Sequence, residues 1–357
     1  MDWSVLGLKH RPFRSTPDSD VWYSATTHEA ALAGLLDAIV GEEPFCLLTG
    51  PAGIGKTITI HRLTRLLPEG VRTALVTHSR FQSRSDLLQA ILFDLGVAWQ
   101  GMSEQELRLS LIENCLETFA DSGRTIVVLD EAQHLNTDLL EELRLLSNVE
   151  GRGTRAIQFV LVAQSGIRTR LDKPEMMSLR QRIAHRAELM PLDKEESADF
   201  LLHQLRLAGG IPGRILADEP LELLAESCQG SPRLLNQAAT MAMNLAQADG
   251  GESIDVESVL ESLSRLGLIE TGAEDEEEAA EAEPATRFTI HEAPSAPNPT
   301  PVEVRPAVRA TPAVVKTNPE MAAIPWLPST AVPEESNVLV YGEDKETRWS
   351  GTTRAAG

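Results

Sequence analysis

The sequence predicts an α/β fold: a parallel sheet with helices on both faces, then a small all-helical domain and a disordered acidic tail. Three observations carry that reading. Residues 45–192 alternate short, nearly continuous apolar runs with stretches of helical spacing. A glycine-rich turn joins the first apolar run to a helical stretch. From Asp193 onward the apolar runs stop and only helical periodicity continues, to about residue 268.

The elements follow in order. Residues 1–44 form an N-terminal segment in which His28–Ile39 has helical periodicity and leads into the first strand. Strands are expected at Phe45–Thr49, Thr73–Thr77, Thr125–Leu129, Ile157–Ala163 and Glu188–Pro191. Each is nearly continuous in apolar residues, as strands buried on both faces should be. Helices are expected between them at 55–67, 83–96, 103–121, 137–149 and 175–183. The leucines of 103–119 and 139–146 are expected to form core faces. The helical domain, 193–268, divides into helices near 194–208, 218–229, 232–248 and 254–265, and Asp193 with Glu196 resembles a capping box.

From Thr271 to Gly357 the chain holds 15 acidic and 7 basic residues and 11 of its 21 prolines. Such a segment buries too little apolar surface to offset its conformational entropy, so 269–357 reads as disordered. Ile324–Leu327 and Asn337–Tyr341 are apolar islands within it. The net charge is −21, and residues 1–270 alone carry −13, so no global basic field draws in nucleic acid or anionic membrane. Cys46, Cys115 and Cys228 have no paired spacing, which argues against a disulfide framework or a zinc site and suits a reducing cytoplasm. Met1 to Phe13 has no apolar core of signal-peptide length, and no stretch reaches the apolar length of a membrane span.

The turn is Gly50, Pro51, Ala52, Gly53, Ile54, Gly55, Lys56, Thr57, with Ile58 following. Two glycines separated by four residues, then Lys and Thr, is the phosphate-binding loop pattern. Glycines let successive N–H groups curl into an anion nest, and the next helix aims its positive end at the phosphates. Lys56 supplies a movable charge for the β- and γ-phosphates of ATP, and the Thr57 hydroxyl a hard oxygen for Mg²⁺.

The run Thr125–Leu129 ends in Asp130 and Glu131, which places two carboxylates at the C-terminal edge of the sheet, where open α/β sheets bind ligands. Asp130 is expected to serve the Mg²⁺ shell, and Glu131 to polarise a water for attack on the γ-phosphate. Gln164 closes Ile157–Ala163 and is placed to position that water. Arg180, Arg182, His185 and Arg186 stand just before the expected last strand, where a guanidinium could act on a neighbouring subunit's nucleotide. In Gly230-Ser231-Pro232-Arg233, serine and proline read as N-cap and first helical position, so Arg233 opposes the helix dipole. A cation kept there makes sense beside an anion.

Taken together, these pieces resemble the AAA+ ATPases of the ExeA/GspA type, first named from general secretion pathways. The resemblance runs through Leu6–Leu8 with Pro12-Phe13, Tyr23-Ser24 with His28–Ala30, Gly50–Thr57, Leu129–Leu135, Leu179–Ile183 and Gly230–Asn236, and covers residues 1 to about 268. It implies a P-loop NTPase core with sheet order 5-1-4-3-2, a helical lid, ATP hydrolysis with Mg²⁺, and ring-like or partner-induced oligomers. Within it Gly50–Thr57 match Walker A, Asp130 and Glu131 match Walker B, Gln164 falls at sensor 1 and Arg233 at sensor 2. Arg182 falls near the arginine-finger region, with Arg180 and Arg186 as alternatives. The leading expectation is an ATPase that couples nucleotide state to a protein partner complex, in secretion or another envelope machine. A DNA-dependent ATP switch like the transposition helpers shares this core, although the negative charge disfavours DNA. A nucleotide-binding scaffold without turnover is the third reading, and the intact Asp130–Glu131 pair speaks against it.

Overall fold

A computed structural model describes residues 7–14, 21–121, 123–151 and 153–269. The tail and its two apolar islands lie outside the described residues. Helix α1 (Thr26–Val40) precedes β1 (Phe45–Thr49), α2 (Lys56–Leu66), β2 (Val71–Val76), α3 (Arg84–Asp94), α4 (Glu104–Ala120) and β3 (Arg124–Leu129). Then come α5 (Thr137–Leu146), the two-residue strands β4 (Glu150–Gly151) and β5 (Thr154–Arg155), β6 (Ile157–Ala163), α6 (Ile167–Leu171), α7 (Met177–Arg180) and β7 (Ile183–Glu188). Five helices complete the described chain: α8 (Lys194–Leu207), α9 (Pro212–Ile215), α10 (Asp218–Ser227), α11 (Pro232–Ala248) and α12 (Val256–Arg265).

The main sheet runs β2-β3-β6-β1-β7, all parallel, which is the expected 5-1-4-3-2 order when the five strands are numbered along the chain. Side-chain alternation divides its core in two. Phe45, Leu47, Val127, Leu129, Phe159 and Leu161 face α3, α4 and α5, with Phe45 stacked on Phe159 at 5.1 Å. Cys46, Leu48, Ile126, Val128, Val160 and Val162 face α1 and α2. A third cluster joins α8, α10, α11 and α12, and Leu8, Phe13 and Ala25 from the N-terminal segment belong to it. The segment therefore packs on the C-terminal helices as well as leading into the sheet.

Several expected elements shift. The last strand is Ile183–Glu188, not Glu188–Pro191. It is an edge strand in which only Ile183 and Ala187 are buried, so it offers no continuous apolar run to read. His185 and Arg186 consequently lie in the strand rather than before it. The helix expected at 175–183 shortens to a 3-10 turn at Pro174–Met176 followed by α7. Strand β2 begins two residues earlier than expected. On α4, Leu107 and Leu111 are buried, but Leu109 is 56% and Leu116 39% exposed, so its leucines do not all form a core face. At Asp193 only half of the capping box forms. Asp193 Oδ1 accepts from Glu196 N at 2.7 Å, while Glu196 Oε1 accepts from Thr26 N at 2.8 Å, at the start of α1.

Candidate functional site

The loop between β1 and α2 adopts the backbone that its glycines permit. Gly53 has φ 78° and Gly55 φ 109°. Both also allow close approach: a Cβ on Gly53 would lie 2.9 Å from Arg233 Cβ, and one on Gly55 2.9 Å from His28 Nε2. Lys56 is buried at the start of α2, and its Nζ donates to the loop's own carbonyls, Gly50 O at 3.0 Å and Pro51 O at 2.8 Å. Burial pushes its ammonium below the ordinary lysine value. Glu131 and Asp130 oppose that shift, and Arg233 adds to it. The ammonium is thus folded back on the loop and ready to exchange carbonyls for a stronger acceptor.

Thr57 Oγ1 donates to Asp130 Oδ2 at 2.9 Å, bringing the first turn of α2 to the end of β3. Asp130 is 6% exposed, its other oxygen accepts from Glu131 N at 2.8 Å, and Ser79 Oγ donates to its backbone carbonyl at 2.5 Å. Glu131 stands in the left-handed region, φ 54° and ψ 35°, where a non-glycine residue is strained and is often part of a site. Among the described residues no cluster of three or more His, Cys, Asp or Glu side chains could hold a metal. One hydroxyl and one buried carboxylate nevertheless fit Mg²⁺, which takes few protein ligands and relies on phosphate and water for the rest.

Gln164 lies beyond β6, and its backbone N–H donates to Gln133 Oε1 at 3.1 Å. Arg233, in the first turn of α11, donates its backbone N–H to Gly53 O at 3.2 Å. Ser231 holds the N-cap position, yet its hydroxyl makes no capping bond; the phosphate loop satisfies this first-turn donor instead. A cavity of about 310 Å³ is lined by Lys56, Thr57, Glu131, Gln164 and Arg233, together with Trp22, Tyr23, Leu192 and Phe200. Residues 52–58 of the loop and α2, with Glu131, Gln164 and Arg233, therefore line one cavity, while Gly50, Pro51 and Asp130 do not line it and Asp130 is joined to it through Thr57.

The basic group does not line this cavity. Arg182 Nη1 is bonded to Arg144 O, Ser147 Oγ and Asn148 Oδ1 around the end of α5. Burial lowers its guanidinium below the ordinary value, with Arg144 and Arg155 adding to the shift. Arg180 pairs with Asp172 at 3.1 Å, and Arg186 donates to Arg180 O at 3.0 Å.

Two residues went unassigned in the sequence. Buried His28 bonds through Nε2 to Ile54 O at 2.8 Å, pinning the phosphate loop to α1. Gln133 donates through Nε2 to the Glu131 carboxylate. Neither had a signal beyond its place in a motif, because hydrogen bonding to a backbone carbonyl or to a near neighbour leaves no periodicity to detect.

Residues 40–171 match the family model of the AAA domain. The chain is 32% identical over 250 residues to general secretion pathway protein A of Aeromonas hydrophila, a match covering 70% of this chain and 45% of that protein. The chain thus spans less than half the length of that relative. It is 27% identical over 232 residues to the ATP-dependent target DNA activator B of Escherichia phage Mu, covering 63% and 67% of the two chains. Among solved structures, Cdc6p from Pyrobaculum aerophilum aligns with a TM-score of 0.60 at 21% identity over 74% of this chain and 71% of that one. The ORC2 protein of Aeropyrum pernix aligns at 0.56 and 20%, over 74% and 71%. At that identity the likeness is one of fold.

Proposed function

We propose that this chain, whose residues 40–171 match the AAA domain and which is similar to general secretion pathway protein A, binds ATP with Mg²⁺ and hydrolyses it, using the nucleotide state to remodel a protein partner. The observation that carries this reading is the 2.9 Å bond from Thr57 to Asp130, with Glu131 next in the chain and facing the same cavity. In this reading the loop N–H groups and Lys56 bind the β- and γ-phosphates. Thr57 and Asp130 hold Mg²⁺, which supplies charge neutralisation on the phosphate oxygens. Glu131 accepts the proton of the attacking water, Gln164 orients that water, and Arg233 reaches the phosphates from α11. Arg180, Arg182 or Arg186 acts across a subunit contact. Arg182 must leave three acceptors to do so, which favours Arg180 and Arg186, each with one such contact among the described residues.

Phosphate release tests the proposal. Purified protein should turn over Mg·ATP, with or without added partner, and Glu131→Gln should lower the rate by about 10²–10⁴ while leaving nucleotide bound. A wild-type rate equal to that of Glu131→Gln would sink it. The similarity to an ATP-dependent target DNA activator supports a second reading, a DNA-dependent ATP switch. Binding of duplex DNA in ATP that weakens steeply with salt would favour it over the protein-partner reading.

A further inference from the structure

Gln133 lies two residues past Glu131, in the 3-10 turn Ala132–His134 that the left-handed backbone of Glu131 opens. Its side-chain amide is engaged at both ends. Nε2 donates to Glu131 Oε2, and Oε1 accepts the backbone N–H of Gln164 at 3.1 Å. The orientation of the amide is decided by that second contact, since a backbone N–H can only donate. The backbone carbonyl of Gln133 accepts from Arg170 Nη1 at 3.4 Å, so the turn is also tied to α6. Glu131 and Gln164 line the cavity, whereas Gln133 is not among its lining residues and stands behind them.

We propose that Gln133 is a positioning residue for hydrolysis: its amide ties the Glu131 carboxylate to the end of β6, so that Glu131 and Gln164 keep one spacing across the cavity. The inference rests on the ATPase reading above. With Oε2 held by the amide, Oε1 of Glu131 stays free to take a proton from water. The tie also freezes a side chain that otherwise has three rotatable bonds, on a residue whose backbone is already strained. Without it the productive arrangement becomes one of several, and misplacement of this size costs about 10²-fold in rate. Nucleotide affinity, set by the loop, Lys56 and Thr57, is left alone.

The test compares steady-state ATP hydrolysis by the wild type, Gln133→Leu and Gln133→Asn. The asparagine keeps the amide but is one methylene too short to reach both partners. Both variants are expected to lose about 10–100-fold in kcat with KM within twofold of wild type. A kcat within twofold of wild type overturns the proposal, and so does a loss that appears as a raised KM or a collapsed melting transition in both variants. A readout independent of turnover is the side-chain amide resonance of Gln133, identified by its disappearance in Gln133→Leu. It should move in Glu131→Ala, and an unmoved resonance overturns the tie. A wild type that binds ATP without turnover sinks the ATPase reading itself, whereas wild-type turnover unaffected by Gln133→Leu sinks only the positioning role.

Discussion

Strain and close approach are concentrated in single residues around the phosphate loop. Gly230 has φ 66°, and a Cβ there would fall 2.0 Å from Leu192 O, the residue whose N–H donates to Gly230 O at 3.0 Å. Gly230→Ala is therefore expected to destabilise the protein by about 2–4 kcal/mol, seen as a lowered denaturant midpoint. His28 gives a pH signature. Burial lowers its folded-state pKa; its bond to Ile54 O and the charges of Glu196 and Glu29 only partly offset this. The folded protein keeps this ring neutral while the unfolded chain protonates it near pH 6.5. Stability contributed here is whole above that pH and falls as acidification passes below it, towards the lowered folded value. His28→Gln keeps a donor for Ile54 O and should flatten the loss of melting temperature between pH 7 and 5; an unchanged slope would exclude His28 as its source.

At the level of elements, the sequence disclosed what was continuous and hid what was mixed. Strands β1 and β6 were legible to the residue because every position is buried and apolar or nearly so. Strand β7 was not, since an edge strand with alternating exposure and an internal His-Arg pair carries no such run. The β4–β5 pair has two residues per strand, too short for any period. The grouping of the candidate site was legible wherever a motif fixes residue types at a spacing: Lys56, Thr57, Glu131 and Arg233 line one cavity, and Asp130 accepts from Thr57. Gln133 and His28 were not, because their value lies in geometry. Glu196 illustrates a contact between elements that spacing cannot show, accepting from Thr26 N across 170 residues of chain. Glu196→Ala should cost about 1 kcal/mol, as loss of a helix cap does, and weaken nucleotide binding by loosening α1; calorimetry with and without ADP checks both.

Across the whole described molecule, the sheet and the C-terminal helices share the cavity between them, and the N-terminal segment crosses from one to the other. Phe13 is 1% exposed within the helical cluster, and Lys9 N donates to Ala208 O at 2.9 Å. Phe13→Ala is expected to cost about 3–5 kcal/mol, with proteolysis appearing first in residues 194–265 rather than in the sheet. Equal protection of both regions would mean that they unfold as one. No helix among the described residues is long and apolar enough to cross a membrane.

That crossing segment also bears on the order of events at the ribosome. The sheet is complete once β7 has emerged, but Leu8 and Phe13 belong to a cluster built mostly from residues 192–263. Bringing segments so far apart in sequence together is slow, and it cannot finish until α11, whose Thr240 Oγ1 donates to Phe13 O at 3.4 Å, has been synthesised. Residues 8–13 are thus made before the sheet but placed after it, and the cavity, walled in part by Leu192, Phe200 and Arg233, stays incomplete until those helices exist. A nascent chain would acquire its phosphate loop well before it could enclose a nucleotide.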